Sequence, residues 1–250
     1  SMLIILSGDD LISYWDERLS LNCLLKFLVL NESPFASHLW YLSALIYVLV
    51  IVYVLDLLQF RKILYFIFPF FLIGDLILGK YSLFLFGYEF SYILVRNFIF
   101  VGIPYFTIGM LIRKSREKII SMRESSLIIF IIVFIGTTFG ERFMLIHINC
   151  NATRDHYIST TLLAVTLFMF FLKYFNNKRI GRLGKAVAWI GRKYSSGIYI
   201  IHPMLQTIVF VFVGVLGLRE IYICIAPIVI FPLSVIVVTA VYKITQLKKI

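Results

Sequence analysis

The 250 residues are 61% hydrophobic and only 15% charged, with a mean hydropathy of +0.94, whereas a soluble domain is about half apolar and about a quarter charged. That excludes a water-soluble globular domain, and no polar stretch is long enough to bury a core of its own. The formal charge of +11 comes from Lys and Arg in the short gaps between apolar runs, the positive-inside pattern of a membrane protein, which excludes a nucleic-acid-binding face.

In chain order, Ser1-Met2-Leu3-Ile4-Ile5-Leu6 is an apolar stub too short for a signal peptide or a spanning helix, and the chain reads as if it starts within a longer one. Leu19 to Leu30 fits a helix lying on the outer surface, ended by Asn31-Glu32-Ser33-Pro34. Seven segments then qualify to cross the hydrocarbon, which takes about 20 apolar residues: Leu39 to Leu58, Ile63 to Leu78, Ile93 to Ile112, Leu127 to Ile146, Tyr157 to Phe175, Gly197 to Leu216 and Ile221 to Tyr242. The expected fold is therefore all-α, a polytopic membrane bundle of about seven helices. Gly181 to Arg192, with Trp189, reads as an interfacial cytoplasmic helix beside it.

Basic residues alternate from gap to gap. Arg61 and Lys62 follow the first segment; Arg113, Lys114, Arg116, Lys118 and Arg123 the third; Lys178, Arg179, Arg182, Lys185, Arg192 and Lys193 the fifth; Lys243, Lys248 and Lys249 the seventh. The other gaps hold Lys80, Arg154 and Arg219, one each. One topology follows: residues 1 to 37 form an extracytoplasmic segment, residues 38 to 250 the seven-helix domain, and the C-terminus is cytoplasmic. Cys23, Cys150 and Cys224 show no C-x-x-C or metal spacing. A Cys23–Cys150 disulfide has no support in the sequence, although both would lie outside.

Ionisable groups inside a bilayer are costly and face a cavity or a partner. Most of those present fall in the outer layer of this topology. Asp75 lies near the outer end of the second segment, Arg96 and Asn97 near the start of the third, and Glu141 and Arg142 near the end of the fourth. Asp155 and His156 open the fifth segment, and His38 the first. Two readings stand: an outward cup that binds a polar acceptor and supplies acid or base groups, or arginines snorkelling to headgroups and pairing with Asp75 and Glu141. Thr137 and Thr138, one turn below Glu141, extend its polar face. A second feature is the stripe Ser195, Tyr199, His202 and Gln206, at helical spacing on one face, with Pro203 freeing a carbonyl beside the histidine. It reads either as a substrate lining or as a helix–helix hydrogen bond. Gly-rich phosphate loops, H-E-x-x-H and G-x-S-x-G are absent, so no metal site is expected.

The order of motifs resembles the acyltransferase 3 family of multi-spanning membrane proteins. The matching pieces are His38-Leu39-Trp40-Tyr41-Leu42-Ser43-Ala44-Leu45, Arg96-Asn97-Phe98-Ile99-Phe100 with Gly102-Ile103-Pro104-Tyr105-Phe106 and Gly109, Glu141, Asp155-His156-Tyr157-Ile158-Ser159-Thr160, and Ser195-Ser196-Gly197-Ile198-Tyr199-Ile200-Ile201-His202-Pro203, spanning roughly residues 30 to 205. The resemblance implies a multi-pass protein of a bacterial cell membrane, with no bound cofactor. It would move an acyl group, often acetyl, from a cytoplasmic acyl-CoA such as acetyl-CoA to a hydroxyl of a cell-envelope glycan or a small hydroxylated acceptor. Its partners would be the lipid bilayer, acyl-CoA and that acceptor. By resemblance and depth, Glu141, Asp155 and His202 would be catalytic, and Arg96, Tyr199, His38 and Arg142 would bind substrate. A similar branch, the membrane part of vancomycin-resistance serine racemases, implies the alternative of transport or binding of a small amino acid such as L-serine. The family's first helix bears a basic residue and a histidine regarded as catalytic, and residues 1 to 37 do not match it. N-terminal helices of a longer chain are therefore expected to complete the site, and this chain alone is expected to be inactive or a remnant without chemistry.

Overall fold

The computed structural model describes residues 20–33, 37–154, 156–176 and 181–247. Among the described residues there is no strand, and the chain divides into two compact units, residues 1–177 and residues 178–250.

In the first unit, α1 (Leu21–Leu30) starts on Ser20, whose hydroxyl accepts from the Cys23 amide, and ends on Asn31 in the left-handed conformation. Asparagine tolerates that conformation better than most residues. A helix is therefore present within the stretch expected to form one, Leu19 to Leu30. An unbroken apolar run forms α2 (Trp40–Leu57), which stops at Gln59, φ 60°. After the basic 3-10 turn Arg61–Ile63 comes α3 (Leu64–Leu78), with Pro69 inside it, then the short α4 (Ser82–Phe86) and α5 (Tyr92–Val95).

The third apolar segment is not one continuous α-helix as expected. Asn97 takes an extended conformation, and its Oδ1 accepts from the amides of Ile99 at 2.9 Å and Phe100 at 3.0 Å. That cap starts a π-helical turn, Phe98–Gly102, which runs into α6 (Ile103–Lys114). A side chain that competes for backbone donors breaks regular helix in this way. The unit continues through α7 (Arg116–Ser121), α8 (Glu124–His147) and α9 (Ile158–Asn176). Val48, Val52, Leu64 and Ile103 form its buried core, with Phe71, Phe98 and Phe106 packed around them, so the π turn is held between α2, α3 and α6.

In the second unit, α10 (Arg182–Val215) pairs with α11 (Arg219–Leu247) over Leu205, Tyr222 and Ile230. Gly197 permits close approach, since a Cβ there would stand 2.8 Å from Val238 Cγ1. The interfacial helix expected at Gly181 to Arg192 is no separate element. It is the first third of α10, because no breaker interrupts the run from Arg182 to Ile198.

Six helices are long and apolar enough to cross a membrane, among the described residues. Of the seven expected segments, Leu64–Leu78 falls short of that measure at 15 residues, about 22 Å of helix. Large apolar side chains stay exposed along them, such as Phe66 at 72%, Phe70 at 74% and Ile228 at 74%. Lipid, in which these side chains cost nothing to expose, is the solvent that fits such surfaces. Cys23, Cys150 and Cys224 are free thiols, so the Cys23–Cys150 bridge is not formed.

Candidate functional site

Asp75 is the single carboxylate of α3 and is 4% exposed. Its Oδ2 accepts from His156 Nδ1 at 2.8 Å, across 81 residues of chain. A carboxylate can only accept, so this bond fixes the proton on Nδ1 and leaves Nε2 with its lone pair in the neutral ring. The Tyr105 ring lies 5.6 Å from the imidazole, and the Tyr105 hydroxyl bonds Thr161 Oγ1 at 2.9 Å.

The loop carrying His156 is fastened by Lys80, 4% exposed. Its ammonium donates to the carbonyls of Ala152 at 2.7 Å and Arg154 at 3.0 Å and sits 4.4 Å from the centre of the Tyr157 ring. Arg154 donates to the Phe90 carbonyl and lies 3.7 Å from Glu89 Oε2. Arg96, at the break after α5, stacks on Trp40 at 4.6 Å and Tyr92 at 4.8 Å. Asp75, Lys80, Tyr92, Arg96, Arg154 and His156 together line a cleft of about 10 Å³, room for one water molecule.

Glu89 also fastens this loop, accepting from the Thr153 amide at 2.9 Å and the Thr153 hydroxyl at 2.6 Å. These two bonds hold its carboxyl below the ordinary value of 4.5. A depressed carboxylate stabilises the fold fully above its unfolded pKa and loses that contribution as pH falls through the folded one. Thermal unfolding in detergent is therefore expected to show a drop in stability below about pH 4.5 that Glu89→Gln makes shallower. An unchanged acid slope in that variant would contradict the contact.

Glu141 does not face this cleft. Its carboxylate accepts from the amides of Ile158 at 3.3 Å and Ser159 at 3.1 Å and from the Ser159 hydroxyl, so it caps the N-terminus of α9, where backbone donors and the helix dipole favour an anion. Neither Glu141 nor Asp75 pairs with Arg96 or Arg142, contrary to the pairing reading; Arg142 is exposed on α8. The Thr137 and Thr138 hydroxyls, one turn below Glu141, both donate to the Phe134 carbonyl, at 3.1 and 2.7 Å. Glu141→Gln keeps one acceptor but turns an NH₂ toward a backbone donor. A stability loss of roughly 1 to 2 kcal/mol is expected, read as a lower unfolding temperature. Unchanged stability with lost activity would return Glu141 to the chemistry.

His38 is half-buried in the 3-10 turn Ser37–Leu39. Asp155 lies outside the described residues. In the second unit the expected stripe holds together: Ser195, Tyr199, His202 and Gln206 line one groove of about 650 Å³ between α10 and α11, with Ser234 opposite. The Tyr199 and His202 rings are 5.9 Å apart, and His202 Nδ1 donates to the Ile198 carbonyl at 3.1 Å. The partnership of Asp75 with His156 and the role of Lys80 were not read from the sequence as site features. Asp75 carried a signal, a carboxylate inside an apolar helix, but nothing local named its partner.

A helical protein with several apolar spans and buried ionisable groups gathered round one cleft is a polytopic membrane protein with a polar site. A family model described as Acyltransferase domain matches residues 1–242, and the chain belongs to that family, the acyltransferase 3 family. No curated protein and no solved structure matches it.

Proposed function

We propose that this chain works as a bacterial membrane O-acyltransferase, passing an acyl group, with acetyl the leading candidate, from cytoplasmic acyl-CoA to a hydroxyl of a cell-envelope glycan or related acceptor. One observation carries the reading: a member of an acyltransferase family gathers buried Asp75 and Lys80 with Arg96, Arg154 and His156 round a single cleft. Such groups are costly within a membrane protein unless they are paired or serve a site, and here the paired groups converge on one cleft. The cleft lies at the ends of the spans opposite the basic gaps Arg61-Lys62 and Arg113 to Arg123, which is the outer side under the positive-inside rule.

One hydroxyl of the acceptor, a group of about the size of the single water this cleft admits, would enter it, with Arg96 among its walls. The basic gaps would attract the phosphates of acyl-CoA. The groove of about 650 Å³ that Tyr199 and His202 line has the size of a ligand site and would take the acyl arm.

The test is genetic and chemical. Deleting the gene from its host is expected to remove base-labile acetate from the envelope glycan, and the natural full-length gene to restore it. Unchanged ester content, together with lost uptake of L-serine, would replace acyl transfer by amino-acid transport.

A further inference from the structure

We propose that the base of the α10–α11 pair binds the headgroup of an anionic phospholipid, on a surface separate from the cleft and the groove described above. From Tyr194 to Val215, α10 holds no Asp, Glu, Lys or Arg, a stretch long enough to cross the hydrocarbon by itself. Arg182 to Lys193 therefore stand beyond it, in the headgroup layer. The charge-free run of α11, from Ile221 to Tyr242, ends at the same level, since the Tyr242 ring meets the Lys193 ammonium and Lys243 follows it.

One face of this base is cationic. Arg182, Lys185, Trp189 and Lys193 are three or four residues apart and share a face of the helix. All of them are exposed, as is Lys243. Val187, Ile190 and Gly191, which line the groove, lie on another face. The Lys193 ammonium sits 4.2 Å from the centre of the Tyr242 ring, 5.1 Å from that of Trp189 and 5.7 Å from that of Tyr194. The rings hold the ammonium in place and give its N–H donors no oxygen to bond. None of Arg182, Lys185, Lys193 and Lys243 forms an ion pair among the described residues. Glu220, the single carboxylate side chain in residues 178–250, stands at the opposite end of α11.

A phosphodiester with net negative charge supplies what this face lacks. It accepts from the ammoniums and the guanidinium, while Trp189 and Tyr242 meet the glycerol region, the depth at which such rings settle. Basic residues at headgroup depth gain most on the leaflet that carries anionic lipid, the cytoplasmic one, which the basic gaps mark. A zwitterionic headgroup offers the same phosphate but brings its own ammonium, which the cluster repels. The bound lipid fastens the first third of α10 to the membrane surface.

The experiment uses the natural full-length protein purified in detergent, with dioleoyl phosphatidylglycerol or dioleoyl phosphatidylcholine added. Retained lipid is read by native mass spectrometry, and amide hydrogen exchange is followed over residues 182–194. Phosphatidylglycerol is expected to bind at least about 10-fold more tightly and to slow exchange in that segment. Lys185→Gln with Lys193→Gln is expected to abolish the preference, and Lys193→Arg to keep it. Arg113→Gln with Lys114→Gln, which remove as much charge elsewhere, are expected to leave it unchanged. Equal binding of the two lipids, a folded double variant that keeps the preference, or an equal loss in the Arg113 and Lys114 variant overturns the proposal. So does free CoA that displaces the lipid and slows the same amides, since the face would then read soluble phosphates. If the Lys185 and Lys193 variant does not fold, the wild-type exchange decides, and phosphatidylglycerol that leaves residues 182–194 unprotected overturns the proposal. Acyl transfer has no part in these readouts, so a failure here leaves the acyl-transfer reading standing.

Discussion

Asn31→Ala is expected to lower the stability of the first unit by roughly 2 to 4 kcal/mol, the largest effect of any single polar truncation here. Asn31 is completely buried at the end of α1, yet it ties three elements together. Its Nδ2 donates to the Trp40 carbonyl at 2.9 Å, and its Oδ1 accepts from the Phe98 amide at 2.9 Å. Its own carbonyl accepts from the Ser43 hydroxyl at 3.3 Å. Truncation to alanine leaves a carbonyl and the first amide of the π turn without these partners, and places a residue less tolerant of the left-handed conformation at φ 50°. Thermal unfolding in detergent checks this. Asn31→Asp keeps the acceptor for Phe98 but not the donor, so it separates the two bonds. An alanine variant as stable as wild type would remove Asn31 from the scaffold.

Lys80→Met is the second, with an expected loss of roughly 2 to 3 kcal/mol. Methionine fills much of the volume and removes the cost of a buried charge, which offsets part of the damage. What it cannot replace are the two donations to Ala152 and Arg154, and Ala152 is wholly buried. The loop before His156 should then open locally. Faster amide hydrogen exchange over residues 150–157 and a lower unfolding temperature are the expected results; exchange as slow as in wild type would show that the loop is held by other contacts.

Much of the fold was legible because it follows from one-dimensional properties. Length and apolarity marked each spanning segment, and Asn31 marked the end of α1 through its tolerance of a left-handed cap. The break at Asn97 was not legible, since an apolar run on both sides hides a side chain that captures two amides. The continuity of α10 was hidden for the opposite reason: glycines and basic residues at Gly181 to Arg192 resemble a surface element, while nothing in them stops a helix.

The candidate site divides in the same way. Asp75 and Arg96 stood out as ionisable groups in apolar surroundings, and Ser195, Tyr199, His202 and Gln206 followed from helical spacing. Glu141 drew attention for the same reason, but its partners are backbone amides, which no residue type announces. The Asp75–His156 pair depends on α3 and the start of α9 meeting in space, information carried by packing and not by local pattern.

The measurement closest to the central claim is made in sealed vesicles containing the natural full-length protein, with radiolabelled acetyl-CoA on the side of the basic gaps and host envelope glycan on the other. The account predicts label on the glycan as a base-labile ester, with free CoA released in equal amount. Vesicles that accumulate L-serine while acetyl-CoA remains intact would contradict it.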